Sequence, residues 1–378
     1  MREYIVFVSR DHYNPVGIVR TLGEEGIRPV AVVVKSKPKQ VGKSKYVKKT
    51  YYVNNPEEGI KLIIEKFGNT GEKHFILTGD DVTVMTLDRH YDDLKDSFYF
   101  FNAGGKGNVV KYMNKDILND LAVRCGFKIP RTWKVDVGEI PSDIEYPVIT
   151  KAINSFSGEW KNIVFICHND EELKEAYSKM KSKTILLQKY IKKIDEQGSE
   201  GFSVNKGQDA FFSVWNSEAY HLEGQYAPVW NNSNVTNEDY IKKASAMLKE
   251  IGFEGIFEFE FMLGEDNELY FLEINFRNTV CGWETTVAGM PSATLWCKYM
   301  LEGKIDHEAC YRKIPDGFYT IAECFDYDVR VKGKLISKKE WKKYYKNANA
   351  KLYLGRNDFK PFLSFMLYKL FHKIGRRG

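Results

Sequence analysis

The first hundred residues of this chain alternate between apolar runs and segments with helical spacing. The runs "YIVFVS" and "PVAVVV" are typical of strands buried on both faces, and "TYYV" and "FILTG" follow, each leading into a helical pattern. This alternation predicts a doubly wound parallel α/β domain, in which ligands bind at the carboxyl ends of the strands. One predicted rim contains Ser9, Arg10, His12 and Asn14, and another contains residues 79–81.

A second constraint is the acidic hairpin "FEFEFMLGEDNELYFLEINFR" at residues 257–277. In the first strand, Glu258 and Glu260 alternate with phenylalanines and therefore share a face. In the second strand, Phe271, Glu273 and Asn275 are predicted to share a face. A turn centred in "EDNE" places Glu260 opposite Glu273 and Glu258 opposite Asn275. A bulge that shifts the register would weaken the pairing of particular residues but not their clustering.

Carboxylates that face each other across a hairpin repel unless something positive lies between them. Mg²⁺ commonly takes one or two carboxylates together with phosphate oxygens, so the hairpin predicts a Mg²⁺ site, which Mn²⁺ can also occupy. Arg277, two residues after Asn275, adds a guanidinium that can hold an anion. The alternative interpretation is an amphipathic hairpin whose acidic face is solvated.

The composition excludes several classes of protein. With 378 residues, 43% of them hydrophobic, the chain is long enough for two or three globular domains. No apolar run reaches the roughly 18 residues of a membrane span, and the first residues lack the apolar core of a signal peptide. The six cysteines form no C-x-x-C pair and the seven histidines form no H-E-x-x-H motif. We therefore expect a cytoplasmic protein with reduced thiols and no zinc site.

The net charge of +5 belongs to the carboxyl-terminal tail. Residues 331–378 contain 14 Lys and Arg against two acids, whereas the rest of the chain contains 42 basic and 49 acidic residues. The main body is therefore acidic, and no nucleic-acid partner is predicted.

The tail itself predicts an amphipathic helix within residues 359–378. Its apolar face contains Leu363, Met366, Leu367, Leu370, Phe371 and Ile374, and its basic face contains Lys369, His372, Lys373 and Arg376. One interpretation is a helix packed on the body of the protein. The other is peripheral contact with anionic lipid at the inner face of a membrane.

Between residues 109 and 305 the pattern changes to strands that carry isolated polar groups. The strand "YPVITKAI" has Lys151 inside its apolar run, and a lysine is costly to bury unless it meets an anion or reaches the edge of the sheet. The small-residue loop "NSFSGEWKN" follows, and then the strand "LLQKYI". The earlier segment "AGGKGN" fails the pattern of a Walker phosphate loop.

The ordered set of lysines, loop, strand and hairpin resembles the ATP-grasp superfamily, and within it the carboxylate–amine ligases (carboligases), over about residues 1–300. The resemblance implies an N-terminal doubly wound parallel α/β domain at 1–108 and a two-subdomain ATP-grasp fold at 109–305. A C-terminal extension with a basic helical tail occupies 306–378.

The resemblance also implies a role for each matched residue. Lys115 in "MNKDIL" and Lys151 in "PVITK" are expected on the α- and β-phosphates of ATP, under a loop that contains Ser157 and Lys161. The remaining assignments are an adenine hinge at Gln188, Lys189, Tyr190 and Ile191, a ribose acid at Glu196 or Glu200, metal ligands at Glu260, Glu273 and Asn275, and Arg277 with Lys151 in catalysis.

The chain departs from the family pattern at two places. Gln188 stands where the family often has Glu, and the loop at residues 154–162 contains one glycine and a tryptophan where the family has several glycines. The loop closure is therefore the least transferable part of the resemblance.

The implied function is an ATP-dependent ligase that activates a small-molecule carboxylate as an acyl phosphate and joins it to an amine, with ATP and Mg²⁺ as cofactors. The oligomeric state is not readable from the sequence, although a homodimer is compatible with it. The alternatives are a nucleotide-binding regulatory protein without turnover and an enzyme of the carbamoyl-phosphate synthase or biotin carboxylase type.

Overall fold

The structure is a computed structural model that describes residues 2–153, 164–222, 226–355 and 357–374, with no side-chain description for 372–374. The chain divides into two compact units that are interleaved along the sequence. The first unit contains Met1–Val109, Gln197–Phe259 and Ile274–Gly378, and the second contains Val110–Glu196 and Glu260–Glu273. The three successive domains predicted above remain a prediction.

The first unit begins with a five-stranded, wholly parallel sheet in the described part of the chain. Its strands are β1 (Tyr4–Val8), β2 (Val30–Val34), β3 (Lys49–Val53), β4 (His74–Leu77) and β5 (Phe98–Phe100), in the order β3-β2-β1-β4-β5. The connecting helices are α1 (Tyr13–Glu24), α2 (Pro56–Phe67), α3 (Asp81–Arg89) and α4 (Tyr91–Leu94). The predicted doubly wound parallel domain is confirmed.

Local hydrogen bonds explain where two of these helices begin. The Asn55 side chain accepts from the Glu58 backbone N–H at 2.8 Å, and the Glu58 carboxylate accepts from the Asn54 N–H at 2.9 Å, which forms a capping box at α2. Asp80 caps α3 and also accepts from the Ser9 N–H at 2.9 Å. Asp80 therefore joins the carboxyl ends of β1 and β4, the two rims that the sequence predicted.

The second unit contains a four-stranded antiparallel sheet among its described residues. The elements here are α5 (Asn108–Tyr112), α6 (Lys115–Arg124), β6 (Thr132–Asp136), β7 (Val148–Lys151), β8 (Ile166–Cys167), α7 (Asp170–Ser178) and β9 (Thr184–Lys189). The strand order is β6-β9-β7-β8. Buried Val148, Leu173, Ile185 and Leu187 form its core, so Lys151 and Gln188 lie on the other face of the sheet.

A larger sheet has the order β14-β13-β10-β11-β12-β15-β16. Its strands are β10 (Lys193–Val204), β11 (Asp209–Glu218), β12 (Val229–Ser233), β13 (Gly255–Gly264), β14 (Leu269–Asn275), β15 (Tyr319–Ile321) and β16 (Ala350–Lys351). In β10 the pairing with β11 shifts between Glu200 and Gly201, and a Cβ atom at Gly201 would lie 1.9 Å from the Phe211 carbonyl oxygen. Only glycine fits this bulge.

Helices complete the first unit. They are α8 (Glu238–Ile251), α9 (Cys281–Val287), α10 (Ser292–Glu302), α11 (His307–Cys310), α12 (Glu323–Asp326), α13 (Lys338–Asn347) and α14 (Lys360–Ile374), with a π-helical turn at Tyr327–Lys332. Helix α9 follows β14 directly and therefore carries the residues after Arg277 into the interior. The predicted helix in the tail corresponds to α14.

The segment before α14 is fixed to α1 by a buried guanidinium. Arg20 is 1% exposed and donates to the Leu352 carbonyl at 2.8 Å, the Tyr353 carbonyl at 2.8 Å and the Asp358 carbonyl at 3.1 Å. The Asp358 carboxylate lies 3.5 Å from Arg20 and accepts from Ser44 Oγ at 2.8 Å. Residues from opposite ends of the chain thus satisfy one another in the core of the first unit.

Candidate functional site

Two lysines and a hairpin carboxylate meet in the second unit. Lys115 is the first residue of α6, and its ammonium lies 3.2 Å from the Glu273 carboxylate. Lys151, at the end of β7, donates to the Gln188 side-chain oxygen at 2.6 Å. Burial and, to a smaller extent, the charge of Lys115 lower the pKa of Lys151 to about 8, although Glu273 opposes the shift. Two neighbouring, half-buried cations favour an anionic ligand.

The predicted adenine hinge lies at the end of β9. The Lys189 backbone N–H donates to the Arg131 carbonyl at 2.7 Å, and the Tyr190 N–H donates to the Pro147 carbonyl at 2.9 Å. Gln188 donates its amide N–H to Thr132 Oγ1 at 3.0 Å while accepting from Lys151. Because these N–H groups are used within the sheet, an adenine ring beside Tyr190 and Ile191 must bind through other groups.

The two acids considered for ribose lie in different surroundings. Glu196, in the second unit, pairs with Lys193 at 2.9 Å and keeps partial exposure. Glu200, in the first unit, is completely buried and accepts from Thr279 Oγ1 at 2.9 Å. Partial exposure makes Glu196 the more accessible of the two. Ser157 and Lys161 lie outside the described residues.

The turn of the acidic hairpin is displaced from the predicted register. Asn267, at a φ of 61°, donates its N–H to the Gly264 carbonyl at 2.9 Å, and the Gly264 N–H donates to the Glu268 carbonyl at 3.0 Å. This left-handed residue at the third loop position is typical of a type I turn with a bulge. It pairs Gly264 with Glu268, one residue away from the predicted partner.

Side-chain contacts show that the register shifts along the hairpin. Phe261 packs edge to face against Phe271 with ring centroids 5.8 Å apart, whereas Asn275 Nδ2 donates to Glu258 Oε2 at 3.1 Å. Strict alternation along both strands cannot produce both contacts, so the bulged alternative holds and Phe271 does not share a face with Asn275. The predicted neighbourhood of Glu258 and Asn275 is present. Glu260 is half-buried, and its pairing with Glu273 remains a prediction.

Arg277 is held in the first unit by hydrogen bonds to two side chains, whose oxygens accept from its guanidinium. Its guanidinium binds the Asp81 carboxylate through Nε at 2.5 Å and Nη2 at 3.3 Å, and Nη2 also donates to Asn275 Oδ1 at 2.9 Å. Asp81 is the first residue of α3, next to the Asp80 cap. The arrangement fixes the guanidinium without burying it completely, as recognition of an anionic group requires.

Comparison with known proteins places this geometry in a family. Residues 110–294 match the model of the carbamoyl-phosphate synthase L chain, ATP binding domain. Among solved structures, L-amino acid ligase from Bacillus licheniformis superposes with a TM-score of 0.59 at 13% identity, covering 80% of this chain and 75% of that one. Residues 110–294 form an ATP-grasp domain.

Two further solved structures share the ATP-grasp fold. N5-carboxyaminoimidazole synthetase from Staphylococcus aureus has a TM-score of 0.57 at 13% identity, covering 75% of this chain and 72% of that one. The biotin carboxylase domain of 2-oxoglutarate carboxylase from Hydrogenobacter thermophilus has a TM-score of 0.62 at 20% identity, covering 84% of this chain and 74% of that one. That domain was crystallised with MgADP, ADP and bicarbonate.

The first unit contains a group of buried acids, one of which, Glu258, lies near Arg277. Burial raises the pKa of Glu200 well above its ordinary value, and the charge of Glu258 raises it further, while Thr279 opposes the shift. Burial likewise raises the pKa of Glu258, which accepts from Cys281 Sγ at 2.9 Å. Burial raises the pKa of Glu284, on α9, to about 7. These carboxyls therefore favour the protonated state more than ordinary glutamates do.

Two of these acids keep unsatisfied oxygens. Within the described residues, one carboxyl oxygen of Glu200 and both of Glu284 have no hydrogen-bonding partner of good geometry. Thr320, Cys281 and Asn232 lie close enough to Glu284 to moderate the rise in its pKa. Unpaired buried oxygens cost free energy, so a protonated carboxyl or bound water is the favourable state at these positions.

The loop before α1 presents a neutral histidine to the same region of the first unit. His12 caps α1 by accepting from the Asn14 N–H at 3.3 Å. Burial, together with the charges of Arg277 and Arg10, lowers the pKa of His12 to about 4. His12 is therefore an uncharged hydrogen-bonding group near the guanidinium of Arg277 at neutral pH.

Two of the predicted metal ligands offer oxygen atoms that suit a hard divalent cation, which would take its other ligands from phosphate and water. In the part of the chain that the structure describes, no three His, Cys, Asp or Glu side chains converge as a metal site. Glu273 and the amide oxygen of Asn275 are nonetheless oxygen donors two residues apart on one strand, and Mg²⁺ often takes only one or two carboxylates with phosphate oxygens and water.

Sequence reasoning missed several residues of the first-unit cluster. Glu258 was recognised as part of the hairpin but received no role, although it lies against Asn275. Asp81 and Thr279 received no specific role either, because hydrogen bonds between distant segments leave no periodic signal in the sequence. The local cue for Asp81 was its position after a buried strand, where the sequence predicted a ligand-binding rim.

Proposed function

We propose that this protein is an ATP-dependent ligase that activates a carboxylate as an acyl phosphate and joins it to an amine. The observation that carries the proposal is the approach of Lys115 to Glu273 at 3.2 Å near the half-buried Lys151. These are the residues that the ATP-grasp resemblance assigned to phosphate and metal binding. A solvated acidic hairpin would not need two buried or half-buried ammonium groups.

The proposed reaction has two steps that balance. A carboxylate oxygen of the first substrate attacks the γ-phosphorus of ATP, a new O–P bond forms, and ADP leaves as the β,γ-bridging bond breaks. The nitrogen of the amine then attacks the acyl carbon, the C–O bond to phosphate breaks, and the amine loses a proton. Products are the amide, ADP and inorganic phosphate. Positioning and charge neutralisation supply most of the catalysis in such phosphoryl transfers.

The proposed roles follow the chemistry of each side chain. Lys115 and Lys151 bind the α- and β-phosphates, and Arg277, oriented by Asp81 and Asn275, stabilises charge on the transferred phosphoryl group. When bound, Mg²⁺ or Mn²⁺ would supply further neutralisation of phosphate charge. The remaining proposed assignments are Ser157 and Lys161 over the phosphates, Gln188 to Ile191 around adenine, Glu196 on ribose, and Glu260, Glu273, Asn275 and the added Glu258 as oxygen ligands.

The proposed partners are a small-molecule carboxylate and a small-molecule amine in the cytoplasm. Several features favour substrate binding in the first unit, since the neutral His12, the fixed Arg277 and the buried Glu258 all belong to it. We also propose a homodimer and a peripheral contact between residues 359–378 and the inner membrane face. No helix in the described ranges is long and apolar enough to span a bilayer.

The experiment is a screen of carboxylates against amines that records release of ADP and phosphate. The decisive variant is Glu273→Gln, which removes the charge next to Lys115 at a half-exposed position. Its matched control is Glu268→Gln in the same hairpin, where the carboxylate pairs with Lys128 at 3.4 Å on the surface. We expect the first to lose at least a hundredfold in turnover and the second to keep it.

The alternatives give different results in the same screen. ATP binding without ADP release under any substrate pair would indicate a regulatory nucleotide-binding protein. ADP release with bicarbonate as the sole carboxyl substrate would indicate chemistry of the carbamoyl-phosphate synthase or biotin carboxylase type. Full turnover by Glu273→Gln would show that this carboxylate has no part in binding the nucleotide or its metal.

A further inference from the structure

Helix α14 presents a continuous apolar face to solvent. Six apolar side chains form a stripe that begins at Phe359, just before the helix, and runs along α14 to Phe371 with the three- and four-residue spacing of one helix face. Each of these side chains is between 42% and 67% exposed, and they are Phe359, Leu363, Met366, Leu367, Leu370 and Phe371. At 100° per residue these positions form one stripe along the helix. Such contiguous exposed apolar surface marks an interaction site.

The opposite face of α14 is the one that packs on the first unit. Pro361 is buried, the Phe365 ring lies 4.7 Å from the ring of Tyr353, and the Lys369 ammonium donates to Asp328 at 2.6 Å. These contacts fix the rotation of the helix about its axis. The apolar stripe therefore faces outward, and the body of the protein, as far as the structure describes it, does not cover it.

The charge of the tail selects the kind of partner. No acidic residue follows Asp358, whereas the sequence from there to the end contains Lys360, Lys369, Lys373, Arg376 and Arg377. The whole of residues 331–378 carries a net charge of +12. A second copy of this chain would bring an equal positive charge to the stripe, so self-association through it is disfavoured. An anionic lipid surface complements both the apolar and the basic side chains.

The dimensions of α14 exclude a membrane span. The helix has 15 residues, which is shorter than the roughly 20 that cross a bilayer, and no described helix qualifies as a span. An amphipathic helix of this size can instead lie in the plane of the interface, with its apolar side chains among the acyl chains and its basic groups at the lipid phosphates.

We propose that α14 binds the protein to the surface of membranes that contain anionic phospholipid. Its outward stripe enters the acyl-chain region, and the basic residues of the tail other than Lys369, which is paired with Asp328, contact the headgroup phosphates. Helix α14 belongs to the first unit and shares no residue with the proposed nucleotide site, because Lys115, Lys151 and Glu273 belong to the second unit, so membrane binding and ligation can be tested separately.

The test is co-sedimentation of the full-length protein with vesicles of phosphatidylcholine, alone or mixed with phosphatidylglycerol. The test variant is the double substitution Leu370→Glu and Phe371→Glu, at exposed positions whose replacement does not disturb the core. The matched control is Leu335→Glu, an equally exposed apolar residue outside α14. We expect wild type and control to bind the anionic vesicles, and the double variant to bind at least tenfold more weakly.

Charge and oligomeric state complete the design. Replacing Arg376 and Arg377 by Ala should weaken anionic binding about fivefold per residue and reduce its dependence on salt. Equal sedimentation of wild type and the double variant would overturn the proposal, and so would equal binding to neutral and anionic vesicles. The mass of the protein in the absence of lipid is measured by light scattering. If the wild type is a dimer and the double variant is a monomer, the stripe binds a second copy of the chain and the proposal is refuted. Loss of vesicle binding with unchanged ADP release supports it independently of the proposed ligase reaction.

Discussion

Replacing Glu284 by Gln tests whether the first unit holds a protonated acid next to its proposed catalytic strand. Glu284 is 1% exposed on α9, and neither of its oxygens has a hydrogen-bonding partner of good geometry among the described residues. Burial raises its pKa from 4.5 to about 7. A glutamine has nearly the same shape but cannot ionise, so it removes the ionisation and keeps the packing.

The sign and size of the effect follow from proton linkage. Between pH 4.5 and pH 7 the folded state binds more protons at this site than the unfolded state, so ionisation of Glu284 lowers the free energy of unfolding as pH rises. The loss amounts to about 2.5 kcal/mol between pH 5 and pH 8 and levels off at higher pH. The variant lacks this loss, so its stability relative to wild type should increase by about that amount over the same interval.

The assay is urea-induced unfolding followed by tryptophan fluorescence at pH 5, 6, 7 and 8. Glu302→Gln, at an exposed position on α10, is the control and should show the same pH dependence as wild type. A stability difference between Glu284→Gln and wild type that stays constant from pH 5 to pH 8 would refute a raised pKa at Glu284. It would imply that the carboxyl is ionised in the folded protein and receives partners such as bound water.

Three further predictions concern other parts of the molecule. Lys151→Met should weaken ATP binding at least tenfold by calorimetry, because it removes a half-buried charge that we propose binds the phosphates, while Lys134→Met on the surface should have little effect. Arg20→Met should lower the free energy of unfolding by about 3–5 kcal/mol in urea titrations, since it leaves Asp358 buried without its guanidinium, and an unchanged midpoint would contradict this. Gly201→Ala should reduce the thermal midpoint and the yield of folded protein, because its Cβ would overlap the Phe211 carbonyl; wild-type melting would show that the bulge can relax.

Periodicity and turn chemistry were sufficient to predict the parallel sheet. Runs such as "YIVFVS" contain too few polar groups for anything but a strand covered on both faces, and β1 to β5 follow these runs. The two predicted rims are joined because Asp80 caps α3 where β4 ends, and its second carboxylate oxygen accepts from the Ser9 N–H, a contact that the sequence did not predict.

The site was predictable in its residue types but less so in its pairings. Lys115 and Glu273 meet as the family resemblance implied, since both belong to short motifs with fixed positions on an element. The register of the hairpin was not predictable, because a bulge depends on one left-handed residue, Asn267, whose conformation the letters "EDNE" do not specify. Contacts between distant segments, such as Arg20 with Asp358, leave no local pattern at all.

The orientation of α14 was left open by its sequence for a similar reason. Its amphipathic pattern is equally compatible with an apolar face turned inward or outward. Only the contacts of Phe365 with Tyr353 and of Lys369 with Asp328 decide between them, and both partners lie in segments that the helical pattern does not include.

The clamp around Arg20 sets a boundary for anyone who shortens this protein. A version that stops after residue 358 keeps every oxygen that surrounds the guanidinium, whereas one that stops near residue 350 strands a cation in the interior. Removal of the helix and removal of its anchor are therefore different experiments, and poor expression of the shorter version would say nothing about lipids.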